Sequence, residues 1–544
     1  MRYNKRSRNN PRSDQTVNCE GGIAYKPSAK RELYLRVASC LLGEPRFYAP
    51  VTIGHDPQKW KPIANICKTS PGWHPDETQR AAYEKFYSNA DLFACVDRVM
   101  QEDPIFVLKM AAFAREQLGL RAVPTALLIE YANRQSGGCE NTRSYVPHII
   151  KRVDEITECL AQQFQRNTLY PRTTNRCPNL IRRGLADCFN RFDEYQFAKY
   201  ARYTTRRDVA LRDALFFCRP KPKDVEQARI FDRIATNTLT VPQTVETMLS
   251  GEGNSTETWN AILPSIGFIA LLKYLRSIIE HDADLSMVVP RLENPPSFVF
   301  PHQYYAAITA LDQYKDRPNT SDRRRANAAR IIRSLERGLH AMVSRIPKFR
   351  GRTLIVVDVS ASMSAPVSGK SVMTCRDVAT LFGAMANGIC ENATVVAFAS
   401  EFTVVPLSSD DIVANITTIE NVRSLGGGTR ADKVFSWLNT TQDHYDRIIL
   451  ISDMQCYTNT EPSFLFNDRE KPIADLLTVY RRQVNPAVIL HSIDLCGYGT
   501  VQFPENTPNV SFIGGWNDSV FKFMQMFEES GDAAIAAIEN YSPA

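Results

Sequence analysis

The chain has 544 residues, a hydrophobic content of 44%, a charged content of 23% and a formal net charge of +6 at pH 7. This length predicts two or three domains, and the composition is that of an ordinary globular protein with a sizeable core. The 13 cysteines include no Cys-x-x-Cys pair, which argues against a zinc ribbon and favours a reducing, cytoplasmic compartment. No apolar run reaches the roughly 18 residues that a membrane helix needs.

The charges are unevenly distributed along the chain. Residues 1–350 carry 53 Lys+Arg and 37 Asp+Glu, a net charge of +16, whereas residues 351–544 carry 12 and 22, a net charge of −10. A basic region joined to an acidic one indicates that the first binds a polyanion. An ordinary solvated surface is the alternative interpretation.

The first 350 residues read as a basic arm and a series of helices. Residues 1–20 lack an apolar segment after their charges, so they predict a disordered basic arm and not a secretory signal. Short helices in a long series favour HEAT-like repeats of helical hairpins, although no fixed sequence period is present and an irregular bundle is the alternative. After a first helix near Ala29, the predicted helices include Asp91–Met100, Pro104–Gln117, Pro124–Arg134, Val146–Gln165, Asn179–Asn190, Glu194–Tyr203, Val209–Phe217, Asp224–Thr236, Thr256–Ile279, His302–Tyr314 and Ser321–Ile346.

Beyond a junction at residues 347–351 the pattern changes to strands that alternate with helices. Such alternation predicts a parallel, doubly wound α/β sheet. The stretch TLIVVDVSAS, residues 353–362, contains an unbroken β-branched and apolar run that ends at Asp358. Such a run predicts a strand that is buried on both faces. A second buried strand, RIILIS at residues 447–452, ends directly before Asp453.

Oxygen donors collect where these strands end. Asp358, Ser360 and Ser362 follow the first strand, Thr429 follows three glycines in a loop, and Asp453 follows the later strand. Ligands in open α/β sheets bind outside the carboxyl ends of the strands. Carboxylate and hydroxyl oxygens suit a hard divalent cation, with Mg²⁺ the expected one. No histidine or third carboxylate is placed to act as a general base, and His491 is predicted to be a core residue.

This set resembles the metal-ion-dependent adhesion site of von Willebrand factor A domains, whose pattern is Asp-x-Ser-x-Ser, a loop Thr and a loop Asp. The resemblance implies that Asp358 and Asp453 supply charge, the second largely through water. It implies that Ser360 and Ser362 ligate the cation directly and that Thr429 ligates it in one of two loop states. A partner's acidic side chain or a water would complete the shell, and such sites bind rather than catalyse.

Short segments of the helical region carry a second resemblance. A basic helical region followed by an A domain is similar to the Ro autoantigen family, in a bacterial or phage form, whose helical part is the TROVE domain. The resemblance places an all-α HEAT-like TROVE ring at residues 21–349 and the A domain at 350–541. The matching segments are Gly21–Tyr48, Ala114–Glu116, Gly119–Arg121, Ile181–Asp187, Lys199–Tyr200, Arg212–Asp213 and Thr258–Leu272.

The resemblance implies a monomeric RNA-binding protein and not an enzyme. In the family, single-stranded ends of misfolded RNA enter a central hole, structured Y RNA binds the basic outer surface, and bacterial relatives tether an exoribonuclease through a Y RNA. Leu211 and Arg219 stand where the family has histidines, so the family's Y RNA contact is not carried over to that place. The candidate RNA-binding residues are Arg115, Arg121, Arg182, Arg183, Lys199, Arg202, Arg206, Arg207 and Arg212.

Two other functions compete with RNA quality control in a ribonucleoprotein. In the first, the A domain docks an acidic protein partner through the cation, and the helical part is a scaffold. In the second, the chain is a metal-dependent enzyme or an ATPase-associated subunit. The absence of a Gly-x-x-x-x-Gly-Lys-Ser/Thr motif counts against nucleotide binding.

Overall fold

The computed structural model describes residues 14–18, 21–42, 44, 91–134, 141–169, 177–204, 209–240, 242–367, 373–408, 411–422, 425–457, 471–515, 519–531 and 533–542. The chain divides into two compact units. The helical unit comprises residues 43–258 and 535–544, and the sheet unit comprises residues 1–42 and 259–534. In the described ranges, no helix is long and apolar enough to cross a membrane.

Helices dominate the chain before residue 349, as the sequence predicts. Their bounds are α1 Ala29–Ala38, α2 at residues 91–102, α3 Pro104–Glu116, α4 Ala122–Arg134, α5 Thr142–Ile149, α6 Val153–Leu169, α7 Asn179–Phe189, α8 Glu194–Thr204, α9 Leu211–Cys218, α10 Val225–Thr236, α11 Val245–Glu252, α12 Thr256–Ile262, α13 Phe268–Glu280, α14 Val289–Glu293, α15 Pro301–Lys315 and α16 Asp322–Val343.

Helix α10 shows how local sequence sets such an element. The Asp224 carboxylate caps its start by accepting a 2.7 Å hydrogen bond from the Gln227 backbone N–H. Asn237 ends the helix in the left-handed conformation, with φ of 58°, which asparagine tolerates better than most residues. Ile230 and Ile234 are four residues apart and both are buried, so one apolar face packs inward.

Two predicted helices are each divided in the structure. The predicted helix Val146–Gln165 is broken into α5 and α6, because the Glu155 carboxylate accepts the backbone N–H groups of Lys151 and Arg152, at 2.8 and 3.0 Å. The predicted helix Thr256–Ile279 is broken into α12 and α13. Pro264 lies at this second break, and proline has no backbone N–H to continue a helix.

The sheet unit contains a six-stranded sheet in the order β5-β4-β3-β6-β7-β8. All neighbours pair in parallel except β5, which is an antiparallel edge strand on β4. The predicted doubly wound α/β domain is therefore confirmed. Its strands are β3 Phe349–Asp358, β4 Cys390–Phe398, β5 Phe402–Val405, β6 Arg447–Ser452, β7 Ile489–Asp494 and β8 Val510–Gly514, and its helices are α17 Cys375–Ile389, α18 Ile412–Glu420, α19 Ala431–Thr441, α20 Ile473–Gln483 and α21 Ser519–Ser530. A last helix, α22, spans Ala533–Glu539.

The N-terminal segment packs within the sheet unit. Strands β1 Gln15–Val17 and β2 Ile23–Tyr25 form an antiparallel pair, so residues 15–17 of the predicted disordered arm form a strand. The Tyr25 backbone exchanges hydrogen bonds with Val501, at 2.8 and 3.0 Å. Helix α1 follows, and its Arg31 pairs with Glu505 at 3.0 Å. The boundaries 21–349 and 350–541 stay predictions of sequence domains, since the compact units combine distant stretches of chain.

Candidate metal centre and RNA-contact residues

The predicted metal ligands follow strands that lie side by side. Strands β3 and β6 pair in parallel with Val357 opposite Ile451, so Asp358 and Asp453 come at the same edge of the sheet. Residues 353–358 are all buried. Helix α17 approaches this strand closely, since a Cβ on Gly383 would lie 2.7 Å from Val357 Cγ2. The buried strand therefore presents Asp358 at a fixed position.

Both oxygens of the Asp358 carboxylate accept hydrogen bonds. The Ser360 backbone N–H donates to Oδ1 at 2.9 Å, and the Ser452 hydroxyl donates to Oδ2 at 2.6 Å. The Ser360 and Ser362 hydroxyl oxygens are 3.2 Å apart. Asp358, Ser360 and Ser452 are fully buried. Ser452 was not predicted, because its place beside Asp358 depends on the pairing of β3 with β6.

The loop that carries Thr429 is held from two sides. The Ala361 N–H donates to the Gly427 carbonyl at 3.1 Å, and the Tyr457 N–H donates to the Thr429 carbonyl at 2.8 Å. Gly426 has φ of +77°, and a Cβ there would lie 2.7 Å from Ser400 Oγ, so a glycine is required. The loop thus joins the chain after Asp358 to the chain after Asp453.

The electrostatics of this edge favour a cation. Burial raises the pKa of the Asp358 carboxyl to about 7, and the negative charge of Asp453 adds to the rise. Arg430, which follows Thr429, pairs with Asp432 at 2.8 and 2.7 Å. Two buried carboxylates repel each other unless a positive charge compensates them. With the hydroxyl groups beside them, they are suitable ligands for a divalent cation. The donor set therefore fits Mg²⁺.

This site has two acidic side chains and relies otherwise on hydroxyl oxygens. No cluster of three or more His, Cys, Asp or Glu side chains with metal-binding geometry occurs among the described residues. His491 is a core residue, as predicted. Its ring is fully buried and bonds Glu528 at 2.9 Å and Ser511 at 3.2 Å, and burial lowers its pKa.

Two of the candidate RNA-binding residues belong to an internal ion-pair network. Arg115 donates to Glu155 at 2.8 Å and to the Ile149 carbonyl at 3.1 Å. Arg121 pairs with Glu155 at 3.0 Å and with Asp154 at 3.1 Å. The Arg115 side chain is 11% exposed. These two guanidinium groups are therefore already engaged within the protein, and RNA contact by them remains a prediction.

Other candidates lie at the surface of the helical unit. Arg183 and Arg212 are exposed. The Arg212 guanidinium lies 5.6 Å from the ring centre of Phe216, whose side chain is 54% exposed. The Lys199 ammonium lies 5.7 Å from the ring centre of Tyr200. Exposed cations beside aromatic rings suit phosphates and bases. Phe216 was not predicted, because a single apolar residue in a helix normally indicates core.

One of the remaining four candidates is bonded locally. Arg182 donates to the Asn179 side chain at 2.8 Å. Arg202 lies in α8, but its side chain is outside the described set. Arg206 and Arg207 lie outside the described residues. RNA contact at these four positions stays a prediction.

The chain combines a helical region with a six-stranded α/β domain that has Asp-x-Ser-x-Ser at the carboxyl edge of its sheet. This is the arrangement of a helical protein joined to a von Willebrand factor A fold. Residues 352–525 match the family model described as the Ro60 vWA domain. The fold is similar to the crystal structure of the Ro (Rsr) protein of Deinococcus radiodurans, at 15% sequence identity and a TM-score of 0.57. That similarity covers 92% of this chain and 100% of the other. The predicted resemblance to Ro proteins is therefore confirmed.

Proposed function

We propose that this chain is a non-enzymatic RNA-binding protein of the Ro type. The observation that carries the proposal is the joining of a Ro60-type A domain to a helical region with exposed cations and aromatic rings. Arg212 beside exposed Phe216 is the best example of such a pair. The net charge of +16 over residues 1–350 supports the same conclusion, since phosphate contacts dominate affinity for nucleic acids.

The proposal extends to the kind of RNA. Structured, Y RNA-like molecules bind the basic outer surface of the helical repeats, and single-stranded ends of misfolded RNA enter a central hole. The protein acts as a monomeric ribonucleoprotein in RNA quality control or processing, and an exoribonuclease joins it through the RNA. These details rest on the resemblance to Ro proteins. A cytoplasmic location is part of the proposal, because the ten described cysteines form no disulfide with one another, as is usual in a reducing compartment.

The A domain is proposed to hold one divalent cation, Mg²⁺. Asp358 and Asp453 would supply the negative charge, and Ser360, Ser362 and Thr429 would supply neutral oxygens. When bound, the cation offers a positive charge to an acidic group of a partner. The chain's own contribution is to keep both Asp358 oxygens oriented through Ser360 and Ser452, at 2.9 and 2.6 Å.

Gel-shift titrations with matched RNAs test the RNA proposal. We expect a structured RNA with a free single-stranded 3′ end to bind more tightly than a blunt duplex of the same length. We also expect affinity to fall steeply with salt, since each phosphate contact adds about 0.7 to 0.9 to the slope of log K against log salt. Equal binding of the two RNAs would refute the role of single-stranded ends, and a flat salt response would refute phosphate contact.

Variants of the helical unit localise the contact. Phe216→Ala is expected to weaken RNA binding by about 5- to 100-fold if a base stacks on the ring. Arg212→Ala is expected to reduce the slope of log K against log salt by about 1, which corresponds to the loss of one phosphate contact. Arg143→Ala is the matched control, because Arg143 is also exposed but pairs with Asp187 at 2.7 Å. Equal losses in the control and in Arg212→Ala would contradict a local interface.

Docking of an acidic protein partner on the cation is the second candidate function. Ser362, the proposed ligand at the outer side of the site, is partly exposed, whereas Ser360 is fully buried. A partner's carboxylate therefore has an approach to the site. In a pull-down experiment, binding of a partner protein that requires magnesium and persists after ribonuclease treatment would favour this function. Binding that ribonuclease abolishes would favour the RNA proposal.

A further inference from the structure

Two cysteines from distant parts of the sheet unit meet beside the sheet edge. Cys375 is the first residue of α17, and Cys496 lies two residues beyond the end of β7. Their sulfur atoms are 3.7 Å apart, although the residues are separated by 121 positions in the chain. Sulfur atoms in a disulfide lie about 2.05 Å apart, so closure by less than 2 Å would allow a bond.

We propose that Cys375 and Cys496 are a redox-active dithiol, which hydrogen peroxide closes to a disulfide and a thiol reductant reopens. Cys375 is the attacking thiol, because it begins a 15-residue helix, where the helix dipole favours a thiolate. Cys375 is buried and Cys496 beside it is partly exposed, so a small oxidant would reach the Cys375 sulfur past Cys496.

The immediate surroundings support this division of roles. A hydrogen bond from the Cys496 thiol lowers the pKa of Cys375, although burial opposes the effect. The same hydrogen bond, together with burial, raises the pKa of Cys496, so Cys375 is the thiol of the pair that ionises first. Elsewhere in the sheet unit burial raises the pKa of Cys390, which makes that thiol a poor nucleophile by comparison.

The chemistry balances with peroxide as the oxidant. The Cys375 thiolate attacks one peroxide oxygen, the O–O bond breaks, and the departing oxygen takes a proton and leaves as water, which leaves a sulfenic acid on Cys375. The Cys496 sulfur then attacks the Cys375 sulfur, the S–O bond breaks, and a second water leaves with the Cys496 proton. Two thiols are thereby oxidised by two electrons, and one peroxide is reduced to two waters.

The cross-link would join the chain that follows the proposed metal ligands to the end of β7. The Cys375 N–H donates to the Ala365 carbonyl at 3.0 Å, just after the short 3-10 turn that begins at Ser362. On the other side, the N–H groups of Cys496 and Gly497 donate to Asp494 at 3.0 and 2.8 Å. A disulfide would therefore restrain the Ser362 segment. Its effect on cation binding rests on the proposed metal site, whereas bond formation does not.

Peptide mapping of the full chain tests the bond directly. Trypsin places Cys375 on residues 371–376 and Cys496 on residues 483–522, each with no other cysteine. After stoichiometric peroxide and alkylation under denaturing conditions, we expect these two peptides to be linked, and dithiothreitol to separate them. Alkylation of both thiols in the oxidised sample, or sulfinic acid on Cys375 without a link, would overturn the proposal.

Single variants give the second readout. Cys375→Ser and Cys496→Ser should each abolish the linked peptide, while Cys390→Ser, which removes a buried thiol of the same sheet, should leave it unchanged. Magnesium titration of oxidised and reduced protein should differ by twofold or more in the wild type and not in Cys375→Ser. If neither the oxidised nor the reduced protein binds magnesium, the metal proposal fails. The linked peptide still shows whether Cys375 and Cys496 form a disulfide. If the oxidised and the reduced protein both bind magnesium with equal affinity, the disulfide does not restrain the Ser362 segment.

Discussion

Replacement of Glu528 by glutamine is expected to destabilise the sheet unit strongly. Glu528 Oε2 accepts a 2.5 Å hydrogen bond from Arg447 Nη2, and Oε1 accepts one at 2.9 Å from His491. The Arg447 and Glu528 side chains are 6% and 19% exposed. Arg447 also donates to Thr353 at 3.0 Å. The cluster therefore links the middle of β3 to the first halves of β6 and β7, on the side of the sheet away from the proposed metal ligands.

The expected loss follows from the ionisation of Glu528. Burial alone would raise its pKa, but the hydrogen bonds from Arg447 and His491 outweigh burial and hold the pKa at about 2 instead of 4.5. At about 1.4 kcal/mol per pKa unit, this shift corresponds to about 3 kcal/mol of stability near neutral pH. Leaving a buried arginine without its carboxylate costs about 3–5 kcal/mol in other proteins, which agrees with this figure.

Urea unfolding followed by circular dichroism measures the effect. Glu529→Gln is the matched control, because Glu529 is the exposed neighbour on the same helix. The Glu528 carboxylate stabilises fully above its unfolded pKa of about 4.5, and this contribution disappears as pH falls towards 2. The difference between wild type and Glu528→Gln should therefore shrink below pH ~4.5. A loss below about 1 kcal/mol at pH 7, or an equal loss in the control, would refute the reasoning.

The other predictions concern the two candidate sites. Gly426→Ala should lower the unfolding free energy by about 1–3 kcal/mol, because φ is +77° and the added Cβ would lie 2.7 Å from Ser400 Oγ; an unchanged urea midpoint would contradict this. Arg115→Ala should cost about 3 kcal/mol, since it removes a partner of a buried carboxylate, and a larger effect on RNA affinity than on stability would show that Arg115 is a contact residue instead. Asp358→Asn should abolish the rise in melting temperature that magnesium produces while leaving RNA affinity unchanged, and a retained rise would place the cation elsewhere.

The strands of the A domain were the most predictable part of the fold. Arg447–Ser452 was predicted with its observed bounds, because a buried parallel strand needs an unbroken apolar run between polar ends. The helix predicted at Val146–Gln165 was divided because the Glu155 side chain competes for the backbone N–H groups of Lys151 and Arg152. That competition depends on which way one carboxylate turns, and hydrophobic periodicity carries no information about it.

The residues of the candidate sites also differ in how far the sequence alone reveals them. Asp358, Ser360 and Ser362 could be recognised because they are adjacent in sequence and follow one strand. Ser452 could not, since its hydroxyl reaches Asp358 only through the pairing of β3 with β6. Among the basic residues, composition could not separate the internally paired Arg115 from the exposed Arg183, because both are arginines on helices.

The sequence by itself determined the two kinds of secondary structure, the charge contrast and the five oxygen donors. Each of these depends only on residues that are neighbours in the chain or on the number of residues of one type. Only the tertiary structure decided which distant segments meet. Helix α1 packs in the sheet unit through Arg31 and Glu505, 474 residues apart, and Cys375 meets Cys496 across 121. The physical reason is that burial and ion pairing depend on proximity in space. A periodic sequence pattern shows that the apolar face of a helix or strand is buried, but it does not show which element packs against that face.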